Sequence, residues 1–569
     1  MFKYIKNFLN TNIFFLILLT ILIFSLYGKS IDFKLTNLDD NTLISDNINF
    51  ISDFKNITKL FTKSAFYNNT TLYYRPILSL SFAIESFFVR DNLKFYHLTN
   101  IVLFILALYL FYLFCIELNL NSIILKFILL IIAAHPMFSS VVVWIPGRND
   151  SLLAVFFVAS FICFIKYINM QKIKYAFLFC LFFVVSLFTK ETFILLIPLY
   201  FIYLYLYDCN ISKKKLLALF IFLVPFVCAF FILRNYAVVS LGYEYFLFNI
   251  GILAKNFVKD SLIYFYNFFV PETIPVILFE ASLPLKIIIY NCFFLFILLF
   301  FLYKKILSKE IFVFSSALVL LSIFPTFLQK ENIYLNHRFF VCSLGFIIIL
   351  TYSLDQLILR ADKLKKILKV FLITVFLIHF VNCFYLSYVQ ADKYKNYKNF
   401  WINAYQDSPQ YYIACQNLAG IYVDLGLFDE ARYYMEKAIS LKSSFKTLIN
   451  YANFLVAIGN LNEAETAFLG MEQDMKGSKD LVYYPLSEIY YRKQDYENAQ
   501  KYALKAYNIK PYNISYSKQL IKIYDMIKNY AEELKIYEQL LNFDKKNEEY
   551  RDKIKELESK IDSKEQNND

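Results

Sequence analysis

Glycine and proline are scarce in this chain, 10 and 12 among 569 residues. No GxGxxG run follows a strand pattern and no GxxxxGK[ST] loop occurs, which excludes the two common phosphate-cradling nucleotide sites. Charge is thin as well, at 18% Asp, Glu, Lys and Arg, where soluble domains carry about 25%. The nine cysteines form no CxxC or Cys/His spacing, so neither a zinc site nor a disulfide framework is expected. Eight of them (Cys115, Cys163, Cys180, Cys209, Cys228, Cys292, Cys342, Cys383) lie in or beside apolar runs, and Cys415 alone in the polar tail. Histidine is limited to four residues.

What fills the chain is apolar: 59% hydrophobic side chains, 20% aromatic, and a mean hydropathy of +0.47. The net charge of +12 divides unevenly, with +14 over residues 1–390 and −2 from Ala391 onward. Apolar and positive surpluses therefore coincide. That pairing points to a polytopic membrane protein in a lipid bilayer, and away from a nucleic-acid partner.

A span needs about 20 mostly apolar residues. Eleven segments qualify: Asn12–Tyr27, Phe95–Leu118, Ser122–Phe138, Ser151–Tyr167, Lys174–Phe188, Thr192–Tyr207, Lys215–Arg234, Pro284–Tyr303, Ile311–Leu328, Phe339–Leu359 and Ile367–Tyr388. No small-residue cleavage site follows the first, so it reads as a retained span and not a signal peptide. Pro76–Val89 is apolar but spans only fourteen residues and carries Glu85 in its middle. A charge at mid-bilayer costs about 2.5–3.5 kcal/mol, so this segment is expected to be a surface helix. With the N-terminus (Lys3, Lys6) in the cytoplasm, eleven spans leave the basic clusters Lys166/Lys172/Lys174, Lys213–Lys215, Lys304/Lys305/Lys309 and Arg360/Lys363/Lys365/Lys366/Lys369 on the cytoplasmic side. The positive-inside rule asks for that arrangement. The outer face then holds long loops at 28–94 and 235–283, the shorter loop with Lys330-Glu331, and everything after the last span.

From Tyr411 the periodicity changes. Tyr422, Leu455, Tyr490 and Tyr524 are 33, 35 and 34 residues apart, each followed nine residues later by Ala431, Ala464, Ala499 and Glu533. A turn residue (Gly426, Gly459, Asn529) and an aromatic entry to a second helix (Phe428, Tyr496, Tyr530) recur with them. The pattern resembles the tetratricopeptide repeat, a helix pair of about 34 residues that stacks into a solenoid. The expected organisation is all-α: a membrane domain over 1–390, a linker over 391–410, a repeat array over 411–543 that binds a protein partner or acceptor, and a charged capping helix with a disordered end over 544–569.

Unusual polar residues collect on the outer side: Asp39-Asp40, His97, His135-Pro136, Gly147-Arg148-Asn149-Asp150, Lys190-Glu191 and His337-Arg338. Each alone has an ordinary reading. Asp39-Asp40 reads as a helix cap or solvated pair, Gly147-Arg148 as a turn with a snorkelling arginine, Lys190-Glu191 as an interfacial ion pair, and Arg338 as a surface anchor. Acids and fixed cations on one face together suggest chemistry, since charges near a bilayer usually serve a purpose.

The acidic pair with Ile44 and Asn47, Tyr74-Arg75-Pro76, His97 with Asn100, His135-Pro136 leading to Trp144-Ile145 and Gly147-Arg148-x-Asp150, and Lys190-Glu191 resemble the GT-C superfamily of membrane glycosyltransferases. The closest branch is the transmembrane, tetratricopeptide-containing O-mannosyltransferases and their bacterial relatives. Two positions depart from that pattern: Ser140 stands where relatives often carry an acid, and the element from Arg338 to Ser343-x-Gly345 lacks its usual proline. The resemblance implies a polyprenyl-phosphate-linked sugar as donor and a protein or glycan hydroxyl as acceptor. It also implies an extracytoplasmic active site in a bacterial inner membrane, and inversion at the anomeric carbon. For such a transfer Asp39 or Asp40 serves as base. Arg148 and Lys190, with Arg75, His337 and Arg338 behind them, take the donor phosphate, and Asp150, His135, Glu191 and His97 support them. No cofactor is required and no metal is expected, although Asp39, Asp40 and Asp150 could approach a divalent ion together.

Two other readings stay open. An O-antigen ligase or polymerase-like transferase would use a diphosphate-linked oligosaccharide and keep its chief loop late in the chain, as 235–283 would allow. A membrane-anchored repeat scaffold would need none of the outer charges. The topology itself is testable: a reporter fused after Phe400 is expected to read extracytoplasmic, and a cytoplasmic signal would overturn the eleven-span order.

Overall fold

A computed structural model describes residues 12–67, 73–207, 209, 211–238, 250–279, 283–328, 333–360, 365–473, 479–511, 513–543 and 547–566. Lys3, Lys6, Lys330, Glu331 and Lys363 lie outside the described residues. The chain forms two compact units, Met1–Ser408 and Pro409–Asp569. Both are nearly all helical; among the described residues the one sheet is a two-residue antiparallel ladder pairing Leu278 with Tyr334 and Phe279 with Ile333.

Every one of the eleven apolar segments contains helix, but they are not equal. Among the described residues, eight helices are long and apolar enough to cross a membrane: Asn12–Asp32, Leu93–Glu117, Ile145–Met170, Lys213–Ala237, Leu285–Tyr303, Lys309–Thr326, Asn336–Arg360 and Lys369–Asp392. The third expected span is broken into Ser122–Ala133 and Pro136–Val143, bent by 59°. Pro136 has no N–H to continue the ladder, and the His135 Nδ1 accepts from Met137 N at 3.2 Å, starting a new turn. Ile173–Thr189 and Glu191–Leu206 are shorter apolar helices, because Lys190 interrupts what would otherwise be one run. Pro76–Val89 is a separate fourteen-residue helix.

Burial sorts the long helices. Ile145–Met170 is central, with 89% of its apolar window buried, whereas the windows of Lys213–Ala237, Leu285–Tyr303 and Lys369–Asp392 are mostly exposed. Their outward residues are large and apolar, among them Phe222, Ile232, Phe293, Phe296, Phe371 and Ile378. Two glycines mark close approach. A Cβ on Gly147 would meet the Ser140 carbonyl oxygen at 2.3 Å, and one on Gly345 would meet Ser315 O at 2.7 Å. Gly147 thus lets the chain fold back onto the short helix Ser139–Val143 and enter the central helix at Arg148.

Of the stretch expected to be a linker, residues 391–408 belong to the first unit, and the second begins at Pro409. Tyr397–Asp407 is a helix capped by Asn396, the Asp407 carboxylate accepts from Val276 N at 2.7 Å, and Ser408 Oγ donates to Ile277 O at 3.0 Å.

The second unit is four helix pairs: Tyr412–Asp424 with Phe428–Leu441, Phe445–Ala457 with Leu461–Gln473, Asp480–Arg492 with Tyr496–Ile509, and Ile514–Met526 with Tyr530–Phe543. Each pair turns through a residue with positive φ, at Gly426, Gly459, Gln494 and Lys528; the fourth turn therefore pivots at Lys528, one residue before the expected Asn529. Small buried Ala431, Ala464 and Ala499 let the helices approach. A further helix, Glu548–Gln566, follows where the charged capping helix was expected; residues 567–569 lie outside the described residues.

Glu533 occupies the fourth alanine position. It is 5% exposed, its Oε2 has no hydrogen-bond partner, and burial, aided by Asp525, pushes its carboxyl up to about 7. A carboxyl whose folded pKa is raised costs stability once pH passes its ordinary value near 4.5, and the full cost is reached above about 7. Glu533→Gln is therefore expected to raise the melting temperature of the chain's repeat transition at pH 8 and to leave it unchanged at pH 4. Equal shifts at both pH values in calorimetry would contradict this account.

Candidate functional site

The segment between the first two long helices is held by its apolar residues. Leu43, Ile44, Ile51, Leu60 and Tyr67 bury against Leu78, Phe82, Tyr96, Ile145 and Leu152. This packing fixes the acidic pair at the start of the helical turn Asp40–Leu43.

The two acids have unlike surroundings. Asp40 is 1% exposed; its Oδ2 accepts from Thr36 N at 2.7 Å and Thr36 Oγ1 at 3.0 Å, and its Oδ1 from Asn41 N at 3.1 Å. Burial raises its pKa while these bonds oppose the rise. The Asp39 side chain caps nothing. Burial pushes it up to about 6, with Arg75 and Arg338 pulling downward and the neighbouring Asp40 pushing up.

Arg75 precedes the helix Pro76–Val89 and pairs loosely with Glu191, Nε to Oε2 at 3.6 Å, its guanidinium 4.4 Å over the Tyr73 ring. Glu191 also accepts from Tyr74 N. Lys190 Nζ donates to Asp150 Oδ1 at 2.7 Å, both side chains being buried. His337 packs its ring 5.2 Å from that of Trp144 and lies in the fields of Asp150, Arg338, Lys190 and Arg75. Arg338 has a buried Nη1 with no partner among the described residues. Asp39, Arg75, Asp150, Lys190, Glu191, His337 and Arg338 thus form one electrostatic cluster. A buried guanidinium nitrogen without an acceptor favours an anion beside it, and the planar donor fork of arginine suits a phosphate.

Arg148 is the main correction. The expectation set it first among phosphate ligands, but it is fully buried and its donors point into the protein. Nη1 donates to Glu85 Oε2 at 2.6 Å, Nε to Asn100 Oδ1 at 2.8 Å and Nη2 to Tyr96 O at 2.8 Å. Its guanidinium also lies 4.6 Å from the Phe82 ring. Asn100 in turn donates to Trp144 O at 3.0 Å. Arg148 therefore fastens the helix Pro76–Val89 to the core and is not open to a substrate. His135 is likewise occupied: Nδ1 accepts from Met137 N, so Nε2 carries the proton and donates to Phe268 O at 3.1 Å. His97 is buried with its ring 6.2 Å from Phe33, and no contact joins it to the charged cluster.

The carboxylates expected to be able to share a metal are separately engaged, Asp40 by Thr36 and Asp150 by Lys190. Among the described residues, no three His, Cys, Asp or Glu side chains gather as a metal site would require. The sequence reading missed three contributors. Thr36 carried no signal. Glu85 did carry one: a lone acid in an apolar helix is what a buried arginine's partner looks like. Asp260 accepts from the Tyr334 hydroxyl, and the neighbouring Tyr264 hydroxyl donates to Leu335 O at 3.2 Å, three residues before Arg338.

Residues 412–445 and 482–513 match the tetratricopeptide repeat family, so the second unit contains tetratricopeptide repeats, which commonly mediate protein–protein interactions. No curated protein matches the chain. A solved structure from the functional characterization of Pseudomonas aeruginosa pilF is 17% identical, covering 30% of this chain and 82% of its own (TM-score 0.24). One of the APC/C hetero-tetramer Cut9–Hcn1 is 10% identical, covering 85% and 89% (TM-score 0.26). Overlaps this low define no common fold.

Removing one partner of a buried pair strands the other charge, at a cost of about 3–5 kcal/mol. Glu85→Gln and Arg148→Met are each expected to destabilise the first unit by that order in thermal unfolding, and the double variant by less than the sum. Additive losses would rule out the pairing.

Proposed function

We propose that the chain is a membrane glycosyltransferase of the GT-C type. It moves a sugar from a polyprenyl phosphate to a hydroxyl acceptor on the outer side of a bacterial inner membrane. The observation that carries this reading is the charged cluster: Asp39, which caps nothing and is pushed up to about 6 by burial, lies in the fields of Arg75 and Arg338, and Arg338 keeps a buried Nη1 with no partner among the described residues. A carboxylate at that value is mostly ionised near neutrality and still basic enough to accept a proton in a transition state.

In this reaction the acceptor oxygen attacks the anomeric carbon while Asp39 takes the hydroxyl proton. The bond from that carbon to the phosphate oxygen breaks, and the phosphate leaves with an added negative charge. Arg338 and Arg75 would receive that charge, with Lys190 and His337 adjoining, since preorganised cations of this kind usually supply the largest stabilising contribution. Asp40, saturated with donors, holds the turn instead of reacting. One carboxylate and one displacement give inversion. The repeats would present a protein acceptor or partner to the enzyme.

The test is transfer from a radiolabelled polyprenyl-phosphate sugar by the purified full chain. Asp39→Asn is expected to lower kcat by at least 100-fold, and the parent rate to fall as pH drops through about 6, because protonation removes the base. Arg338→Ala is expected to raise the donor KM and lower kcat together. An Asp39→Asn enzyme with parental turnover would sink the assignment.

A further inference from the structure

The chain has only two tryptophans, and both indoles bond to the same residue. Trp144 Nε1 donates to Thr36 Oγ1 at 3.2 Å, and Trp401 Nε1 donates to Thr36 O at 3.1 Å. Thr36 spends its two remaining donors, N–H and O–H, on the Asp40 carboxylate. All four residues are buried, Thr36 at 2% exposure and Trp401 at 1%.

We propose that Trp401, acting through Thr36, is a positioning residue for the acidic turn, so that the working transferase unit extends beyond the last long helix through Tyr397–Asp407. The inference deepens the transferase reading and rests on it for its catalytic part. The geometry leaves Thr36 little freedom. Its carbonyl, amide and hydroxyl are each committed, and a buried carbonyl that lost the Trp401 donor would have to move to find another. Any such movement passes to Asp40 through two bonds and to Asp39 through the peptide between them. The helix carrying Trp401 is itself fixed: Lys34 N donates to Lys395 O at 2.9 Å, Lys393 pairs with Asp407 at 3.6 Å, and Asn396 caps its first turn. Trp144 supplies the opposite side of the clamp from the strand-like residue before the central helix, where its ring also meets His337. One threonine therefore joins the segment before the first acid, the entry to the central helix and the segment after the last long helix.

The test uses the full chain in detergent and needs no substrate for its first arm. All tryptophan emission arises from this clamp. If the indoles share Thr36, the spectra of Trp144→Phe and Trp401→Phe will not sum to the parent spectrum. Each single-tryptophan chain will emit at longer wavelength and be quenched by acrylamide at least twofold more strongly. Thr36→Val, which removes one hydroxyl at nearly constant volume, will give the same sign of change, and Thr36→Ser will restore the parent signal. Spectra that sum, with quenching unchanged in Thr36→Val, overturn the proposal. In the second arm, Trp401→Phe and Thr36→Val are expected to lower kcat at least tenfold with donor KM within twofold and with a displaced acid limb of the pH profile. Unaltered kcat and pH profile overturn the positioning role. A parent chain that transfers no sugar overturns the transferase reading instead, and the fluorescence arm still decides the clamp.

Discussion

A guanidinium with no exposure to solvent must be answered by the protein, and the answer given to Arg148 organises the first unit. Its three donors reach two further helices: Pro76–Val89 through Glu85, and Leu93–Glu117 at two points one turn apart, Tyr96 and Asn100. Desolvating a charge is costly unless it is paired and bonded, so these segments can meet in only one register. Arg75, at the head of the loop helix, takes its place beside Asp39 as a result. The chemical cluster is downstream of a structural charge that takes no part in it.

Two kinds of charged residue therefore occupy the same face. Arg148 and Asp150 sit two residues apart in the sequence yet differ in role, since the first is closed inside the helix packing while the second reaches Lys190. Composition and hydropathy could not separate them. What separates them is which groups the fold brings within bonding distance, and that depends on residues 63 and 40 positions away.

The helical character of both halves, the position of the repeat units, and the apolar segments were legible because they follow local periodicity and length. The break at His135-Pro136 was visible as a proline but not as a bend. Eleven equal spans became eight long helices, one bent pair and two short ones, because apolar composition alone does not say where a helix ends. Tyr397–Asp407 falls in the stretch expected to be a linker, and what ties it into the first unit is remote in sequence: Trp401 bonds to Thr36 O, 365 residues earlier. Of the expected site, Asp39, Arg75, Lys190, Asp150, Glu191, His337 and Arg338 come together, while Arg148 and His135 are bonded elsewhere in the fold and His97 stands apart from the cluster. Long-range partnership, invisible in a single chain read left to right, accounts for the difference.

The repeat unit has a final consequence in its own dynamics. Stacked helix pairs touch only their neighbours, so such arrays open from whichever end holds the weakest link. Glu533, standing where the other three repeats bury alanine, puts that link in the last pair. An opening that began there would release the terminal helix Glu548–Gln566 with the last pair and leave the three pairs seamed by Ala431, Ala464 and Ala499 closed, so the array would lose its end before its continuity.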